Sequence, residues 1–250
     1  MMEGTNGLPS SKSTTWSFQN LIELHCNQRG SKCIIPSNEL LQLQMLERIQ
    51  VEGCFHVEEV FEGTNSVVEI PNLRQLELKS VYFLKYIWKH DHYQRTVLMF
   101  PNLTALSIDK CDKLKHVFTS SMVGSLLRLQ QVHISDCEYL KVIVKEEELE
   151  VAPDAKVKEI MELPCLTSLK LENLKSLKGF YLGEADFSWP SLHTLEIKEC
   201  PEIRVFTNGH LVTPALKVID TSFGRCYETE DINSFIKTKQ DEVTRCLFVL

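Results

Sequence analysis

The sequence lacks any long apolar run. None of its 250 residues belongs to an uninterrupted hydrophobic stretch approaching the roughly 18 residues that a membrane-spanning helix needs. The N-terminus, MMEGTNGLPSSKSTTWSF, also lacks the basic segment followed by an apolar segment that marks a secretory signal. We therefore expect a chain without a membrane span, located in the cytoplasm.

Paired cysteine motifs and an excess of positive charge are missing as well. The nine cysteines include no CxxC pair, and an odd number in a chain of this size favours reduced thiols over a disulfide framework. The chain has 27 basic and 34 acidic residues, which give a formal net charge of −7. Because a general nucleic-acid binder must neutralise phosphates, we expect no nucleic-acid partner.

Motifs of enzyme chemistry are also absent. The sequence contains no GxSxG nucleophile elbow, no HExxH metal motif and no catalytic-cysteine signature. The segment His90-Asp91-His92 has no further ligands beside it, so it is weak evidence for a metal site. We expect neither catalysis nor a bound metal or cofactor.

The chain does contain an internal repeat. The segment FPNLTALSIDKCDKLKHVF, residues 100–118, aligns with LLRLQQVHISDCEYLKVIV, residues 126–144, at an offset of 26 residues. The pattern returns in WPSLHTLEIKECPEIRVF, residues 189–206. Weaker copies share its first leucine, which recurs at Leu21, Leu46, Leu73, Leu103, Leu129, Leu166, Leu192 and Leu216. The shared motif LxxLxLxxC is the strand signature of a leucine-rich repeat.

This periodicity predicts an α/β fold, a leucine-rich-repeat solenoid or horseshoe. A parallel β-sheet should line the concave face, with short helices or irregular loops on the convex face. We expect a flexible segment at residues 1–15, about eight repeats at residues 16–224, and a C-terminal cap or tail at residues 225–250. The repeated cysteines should be buried as small apolar side chains.

The alternation within LxLx places every second side chain of each strand outward. The outward positions form three columns across the predicted sheet and carry seven acidic and four basic residues. A solvated sheet face and a partner-binding face both fit this composition. The candidate partner-binding residues on this face are Glu77, Lys79, Ser107, Asp109, Gln131, His133, Ser135, Lys170, Glu172, Glu196 and Lys198.

Two repeats are longer than the others, and their extra residues should form loops. The first insertion has the composition of an interface hot spot, since aromatic and arginine side chains are enriched there. Its candidate contact residues are Trp88, His90, Tyr93 and Arg95. The second contains an acidic run at residues 146–150, and a basic run at residues 110–116 follows another strand. Both runs are expected to be solvated surface.

Beyond the leucines, the repeats carry an introductory Pro-x-Leu, as in Pro71-Asn72-Leu73 and Pro101-Asn102-Leu103, and a following LKxVF at residues 114–118. This combination resembles the repeat region of plant intracellular nucleotide-binding leucine-rich-repeat disease-resistance proteins of the coiled-coil class. The resemblance covers roughly residues 16–224. It implies a role in plant innate immunity, with pathogen effectors or guarded host proteins as protein ligands. A nucleotide-binding receptor domain is a second candidate partner.

The chain departs from the complete family pattern, because none of its ten glycines is followed by Lys and no GxxxxGK[ST] phosphate loop occurs. A fragment of a larger receptor, a truncated paralogue and a free-standing repeat protein remain open. Cysteine-containing repeats of about 26 residues also resemble the substrate-receptor arms of F-box ubiquitin-ligase adaptors. That alternative requires a helical F-box, whereas only about 15 polar residues precede Trp16.

Overall fold

The computed structural model of the chain describes residues 19–27, 31–63, 67–89, 97–147, 160–222, 224–227 and 232–236. The segment expected to be flexible, residues 1–15, lies outside this part. So does most of the predicted C-terminal cap or tail.

Eight parallel strands and one antiparallel strand form a single sheet, here called the long sheet. Its parallel strands, which define repeats 1 to 8, are Glu23–Asn27, Arg48–Glu52, Gln75–Lys79, Ala105–Asp109, Gln131–Ser135, Ser168–Glu172, Thr194–Lys198 and Val218–Thr221. The ninth strand, Gly224–Tyr227, pairs antiparallel with repeat 8. One strand per repeat confirms the predicted leucine-rich-repeat solenoid.

The strands pair in the register that the leucine pattern predicts. Leu106 lies opposite Leu76 on one side and Val132 on the other. These inward side chains are at most 4% exposed, whereas the residues between them point away from the core. The alternation holds because one face of the sheet packs on the core, and a one-residue slip would expose every leucine.

Most repeats contain further short strands, which the sequence analysis did not predict. They form four small parallel sheets. The first contains Cys33–Ile35, Glu59–Phe61 and Tyr86–Trp88, and the second contains Phe118–Thr119, Val142–Lys145 and Gly179–Tyr181. The third contains Ile160–Glu162, Asp186–Ser188 and Leu211–Val212. In the fourth, Val68–Glu69 pairs with Leu98–Met99. The side of the solenoid away from the long sheet is therefore more regular than the predicted helices and loops.

Helical structure is limited to short segments in the described part of the chain. A 3-10 helix spans Ser37–Gln42, an α-helix spans Ser120–Val123, and residues 232–236 form one more helical turn. Among the described residues, no helix is long and apolar enough to cross a membrane.

The core fills the space between the long sheet and the short strands. The eight first leucines of the repeats line it, with Leu21 partly exposed and the other seven at most 8% exposed. The cysteines that follow the strands are buried, as predicted, and donate to main-chain oxygens: Cys137 Sγ contacts Ser135 O at 3.2 Å. Burial raises the pKa of Cys137 to about 12 and that of Cys200 to about 11. These thiols therefore behave as small apolar groups.

The Pro-x-Leu motif links consecutive repeats through its middle residue. Asn102 Nδ2 donates to Pro71 O at 2.6 Å, and Ser191 Oγ donates to Pro164 O at 2.7 Å. In both pairs the acceptor is the proline of the preceding copy of the motif. The side chain thus satisfies a main-chain oxygen at the turn that enters each strand.

The residue after each strand of repeats 2 to 7 adopts a left-handed backbone conformation. Gly53 has φ 64°, and five residues that are not glycine have φ between 51° and 54°: Ser80, Lys110, Asp136, Asn173 and Glu199. In repeats 2 to 6 the amide of this residue extends the ladder of the sheet, as where Ser80 N donates to Asp109 O at 2.9 Å, whereas Glu199 N donates to the hydroxyl of Ser222 at 2.7 Å. This conformation turns the chain off the long sheet at the same point in every one of these repeats.

Candidate recognition surface

The outward face of the long sheet, here called the open face, carries the candidate residues predicted on the strands. Strand pairing aligns them in columns: Glu77, Ser107, His133, Lys170 and Glu196 lie on five neighbouring strands. The structure therefore brings the eleven strand candidates onto one surface. Whether a partner binds there stays a prediction.

Ion pairs and close polar contacts between neighbouring strands compensate part of the charge on the open face. Arg48 Nη1 lies 3.6 Å from Glu23 Oε1, and Lys79 Nζ lies 3.5 Å from Glu52 Oε1. His133 Nε2 lies 3.6 Å from Glu172 Oε2. These side chains are about half exposed, so each pair contributes little stability. Their main effect is to compensate the basic side chains of this face, while part of its acidic charge stays unpaired.

Glu196 occupies the most enclosed position among the eleven strand candidates. It is 9% exposed, and its carboxylate accepts hydrogen bonds from Lys198 and from Lys170, whose Nζ lies 3.2 Å away. The hydrogen bond from Lys198 is the main reason that the pKa of Glu196 is lowered, and the same contact raises the pKa of Lys198. Repeats 6 and 7 are thus joined by a three-residue charge cluster.

Repeat 4 presents the smallest side chains of the central open face. Ala105 and Ser107 are half-buried between the longer side chains of repeats 3 and 5. Beside them, Glu77 has no ion-pair or hydrogen-bond partner in the part of the chain that the structure describes. The centre of this face therefore offers a free carboxylate next to short side chains.

The candidate residues of the first insertion do not all lie on an exposed loop. The prediction that Trp88 is exposed there is wrong, because Trp88 ends the strand Tyr86–Trp88 and is 3% exposed. Its ring packs in the core, so it presents almost no surface to a partner. The other three candidates of this insertion, His90, Tyr93 and Arg95, lie outside the described residues.

Exposed aromatic side chains, which the strand columns lack, lie on the turns that follow the strands. Phe55 and Phe83 are each 52% exposed, and Tyr139 is 48% exposed. The basic run at residues 110–116 belongs to the same turns, although its His116 is 7% exposed and packs edge-on against Tyr86. A sequence signal exists for two of these rings, since Phe83 and Tyr139 each precede the leucine of an LK pair, whereas Phe55 does not.

Side chains that bind metal ions are not clustered in the described residues. Across those ranges, no group of three His, Cys, Asp or Glu side chains is arranged to hold a metal ion. What the geometry offers is an extended polar surface with charged, hydroxyl and amide groups. Such a surface is suited to contacting another macromolecule.

Comparisons with known proteins agree with this geometry. The family model of the leucine-rich repeats of RPS2-like plant disease resistance proteins matches residues 6–138 and 99–208. No solved structure matches the chain.

Two probable disease resistance proteins of Arabidopsis thaliana are similar to the chain. One is 28% identical over 113 residues, which are 45% of this chain and 12% of the relative. The other is 26% identical over 180 residues, which are 70% of this chain and 24% of the relative. The chain therefore spans a quarter or less of the length of these relatives.

The repeat domain of resistance proteins is typically a non-catalytic interaction module. The matched residues include most of the described repeats, and the disease-resistance relatives support a role in plant defence. The chain belongs to the leucine-rich-repeat family of RPS2-like plant disease resistance proteins.

Proposed function

We propose that this chain is a non-catalytic recognition module of plant immunity that senses a pathogen effector or a guarded host protein through the open face of its repeats. The observation that carries the proposal is the contrast between the two faces of the long sheet. Inward positions repeat Leu, Ile and Val, whereas the side chain of the central outward column changes from acidic Glu77 to polar Ser107, His133 and basic Lys170. Outward side chains that vary on a conserved core can determine which ligand is bound without altering the fold.

The proposal is tested by affinity capture from plant cell extract, with three versions of the chain as bait. The open-face variant carries Gln75→Arg and Glu77→Arg, which replace exposed side chains on one strand. The matched control carries Gln44→Arg and Glu69→Arg, which are exposed and lie off the long sheet. Both variants change the formal charge by the same amount.

We expect a host or effector protein that co-purifies with the parent and the control and falls at least about tenfold with the open-face variant. The same set of captured proteins on all three baits would contradict an open-face site. Ubiquitin-ligase scaffold proteins on every bait would favour the F-box adaptor instead.

We also propose that the chain acts in the cytoplasm. Cys54, Cys111, Cys137 and Cys200 are buried thiols outside any disulfide and lie beside main-chain oxygens, which suits a reducing compartment. Fractionation of plant cells expressing the tagged chain tests this location, and recovery in the secreted fraction would contradict it.

A further inference from the structure

A second surface lies beside the open face, on the turns that leave the strands of repeats 3 to 6. We call it the flank and define it as residues 80–86, 110–116, 136–141 and 173–178. These segments contain seven lysines and three acidic residues, in a chain whose net charge is −7. The flank is therefore a local reversal of the charge of the molecule.

Backbone contacts stack the lysines of the LK pairs. Lys115 N donates to Lys85 O at 3.1 Å, and Lys178 N donates to Lys141 O at 2.9 Å. Neighbouring turns lie about 4.8 Å apart, the spacing of hydrogen-bonded chains. The main chain thus places one lysine of each of repeats 3 to 6 along the flank, and the first of them, Lys85, pairs with Glu58 through a 2.9 Å contact between Nζ and Oε2.

Several of these lysines have no internal counter-charge. On the open face, each lysine and arginine pairs with a carboxylate, as in Lys79 with Glu52. On the flank, Lys141 and Lys178 are exposed and have no carboxylate partner in the described part of the chain. Lys115 contacts the hydroxyl of Tyr86 at 2.7 Å, which leaves its charge uncompensated. Like charges on neighbouring turns repel each other, so an anion bound beside these lysines would reduce the repulsion between them.

Aromatic rings accompany the lysines. Phe83 is 52% exposed, and Tyr82 stacks on Phe55 of the neighbouring repeat with ring centroids 5.9 Å apart. The ammonium of Lys113 lies 4.3 Å from the centroid of the Tyr139 ring. Exposed aromatic rings beside cations are the composition of a protein-binding hot spot rather than of an ordinary solvated turn.

We propose that the flank binds an acidic segment of a protein partner. Carboxylates of the segment would contact Lys115, Lys141 and Lys178, and its apolar side chains would cover Phe83 and Tyr139.

The acidic residues of the flank favour a protein segment over a nucleic acid. Asp112, Asp136 and Glu138 lie among the lysines. A regular chain of phosphates would meet these carboxylates at close range, whereas a protein segment can place its charges where the lysines are.

A fluorescence anisotropy titration with the whole chain tests this proposal. The probe is a fluorescein-labelled peptide of repeated Glu-Glu-Tyr units, compared with its Gln-Gln-Tyr counterpart and with labelled oligouridylate. The flank variant carries Lys141→Glu and Lys178→Glu. A milder variant carries Gln at both positions, in case charge reversal unfolds the chain. The matched control carries Lys32→Glu and Lys217→Glu, two exposed lysines outside the flank.

We expect the parent and the control to bind the Glu-Glu-Tyr peptide at least about tenfold more tightly than the flank variant binds it. The parent and the control should also bind the Gln-Gln-Tyr peptide at least about tenfold more weakly than the Glu-Glu-Tyr peptide, and their affinity for the latter should fall as the salt concentration rises. Equal weakening by flank variant and control would overturn the proposal, because net charge alone would then explain binding. Failure of the parent to bind the peptide would overturn it too. Tighter binding of oligouridylate would assign the flank to nucleic acid. The open-face variant described above leaves the flank intact, so the two proposals can fail separately.

Discussion

A left-handed residue follows the strand in each of repeats 2 to 7, and glycine fills that position only at Gly53. For other residues this conformation costs roughly 1 kcal/mol, because the Cβ atom crowds the following carbonyl oxygen. The cost recurs at Ser80, Lys110 and Glu199, whose side chains do not favour this conformation as Asn and Asp do. The chain accepts it because the same turn aligns the amide with the next repeat and directs the following apolar residue, such as Val81 or Cys111, into the core.

Gly53 allows this backbone cost to be measured. A Cβ atom added there would meet no heavy atom within 4 Å, so Gly53→Ala changes the backbone preference without a clash. We expect the free energy of unfolding to fall by about 1 kcal/mol.

Gly124 provides the matched control. It is equally uncrowded but has φ −59°, so Gly124→Ala should raise the free energy of unfolding by about 0.5 kcal/mol. Urea unfolding followed by circular dichroism measures both changes. Changes of the same sign would show that the left-handed conformation is not the cause.

Within each strand of the long sheet, the leucine pattern alternates buried residues with residues on the open face. On the strand Ala105–Asp109, Leu106 is 2% exposed and Ser107 is half-buried and faces outward. We expect Leu106→Asp to lower the free energy of unfolding by about 3 kcal/mol or more, because it buries an unpaired charge between stacked repeats.

Ser107→Ala serves as the control and should change the stability by less than about 0.5 kcal/mol. Urea melts of the two variants decide the assignment of faces. A stable Leu106→Asp variant, or a Ser107→Ala variant that loses several kcal/mol, would show that the register is wrong.

Pairing between strands also gives the stability a dependence on pH. Since the folded chain lowers the pKa of Glu196, the ionised carboxylate stabilises the fold above the ordinary carboxyl pKa of 4.5. This stabilisation is lost as the pH falls through the lowered pKa of the folded state. We expect the parent to lose more stability than Glu196→Gln between pH 5 and about pH 3, measured by thermal melts.

Lys198→Gln provides the complementary test, because it removes the principal cation beside Glu196. It should weaken the fold at pH 7 and have little effect once the carboxylate is protonated. A parallel pH dependence for parent, Glu196→Gln and Lys198→Gln would mean that this cluster does not contribute.

The sequence predicts the long sheet well because the spacing of Leu103, Leu106 and Ile108 specifies both the strand and its inward face. It also predicts which residues of the open face lie side by side. The short strands are harder to predict, since Val68–Glu69 and Leu98–Met99 are too short to show an alternation. Trp88 was misplaced for a related reason: nothing in the composition of its segment shows that a buried strand runs to that residue before the insertion begins.

At the scale of the whole molecule, each repeat contacts its neighbours and the stability is shared along the array. The surfaces follow from this arrangement. The basic side chains of the open face pair with carboxylates, while the flank also contains lysines, Lys141 and Lys178 among them, that have no carboxylate partner in the described residues. A sequence read one repeat at a time shows the lysines, but only the stacked structure shows which of them are neutralised.

The same arrangement predicts that equivalent leucines differ in their contribution. Leu103 is fully buried between repeats 3 and 5, whereas Leu21 of repeat 1 is only partly buried. We expect Leu103→Ala to cost about 2 to 5 kcal/mol, the range for deleting a buried leucine side chain, because neighbours on both sides lose contacts.

Leu21→Ala should cost less than about 1 kcal/mol, because much of the side chain already meets solvent. Hydrogen exchange provides an independent measurement. Amides of Glu23–Asn27 should exchange sooner than those of Ala105–Asp109, since within the described residues the first strand pairs on one side and the fourth on both. Equal costs for the two leucines together with equal protection of the two strands would mean that the array unfolds only as a whole. Unequal values would mean that the array frays from repeat 1 while the central repeats, which carry most of the open-face candidates and the flank, remain folded.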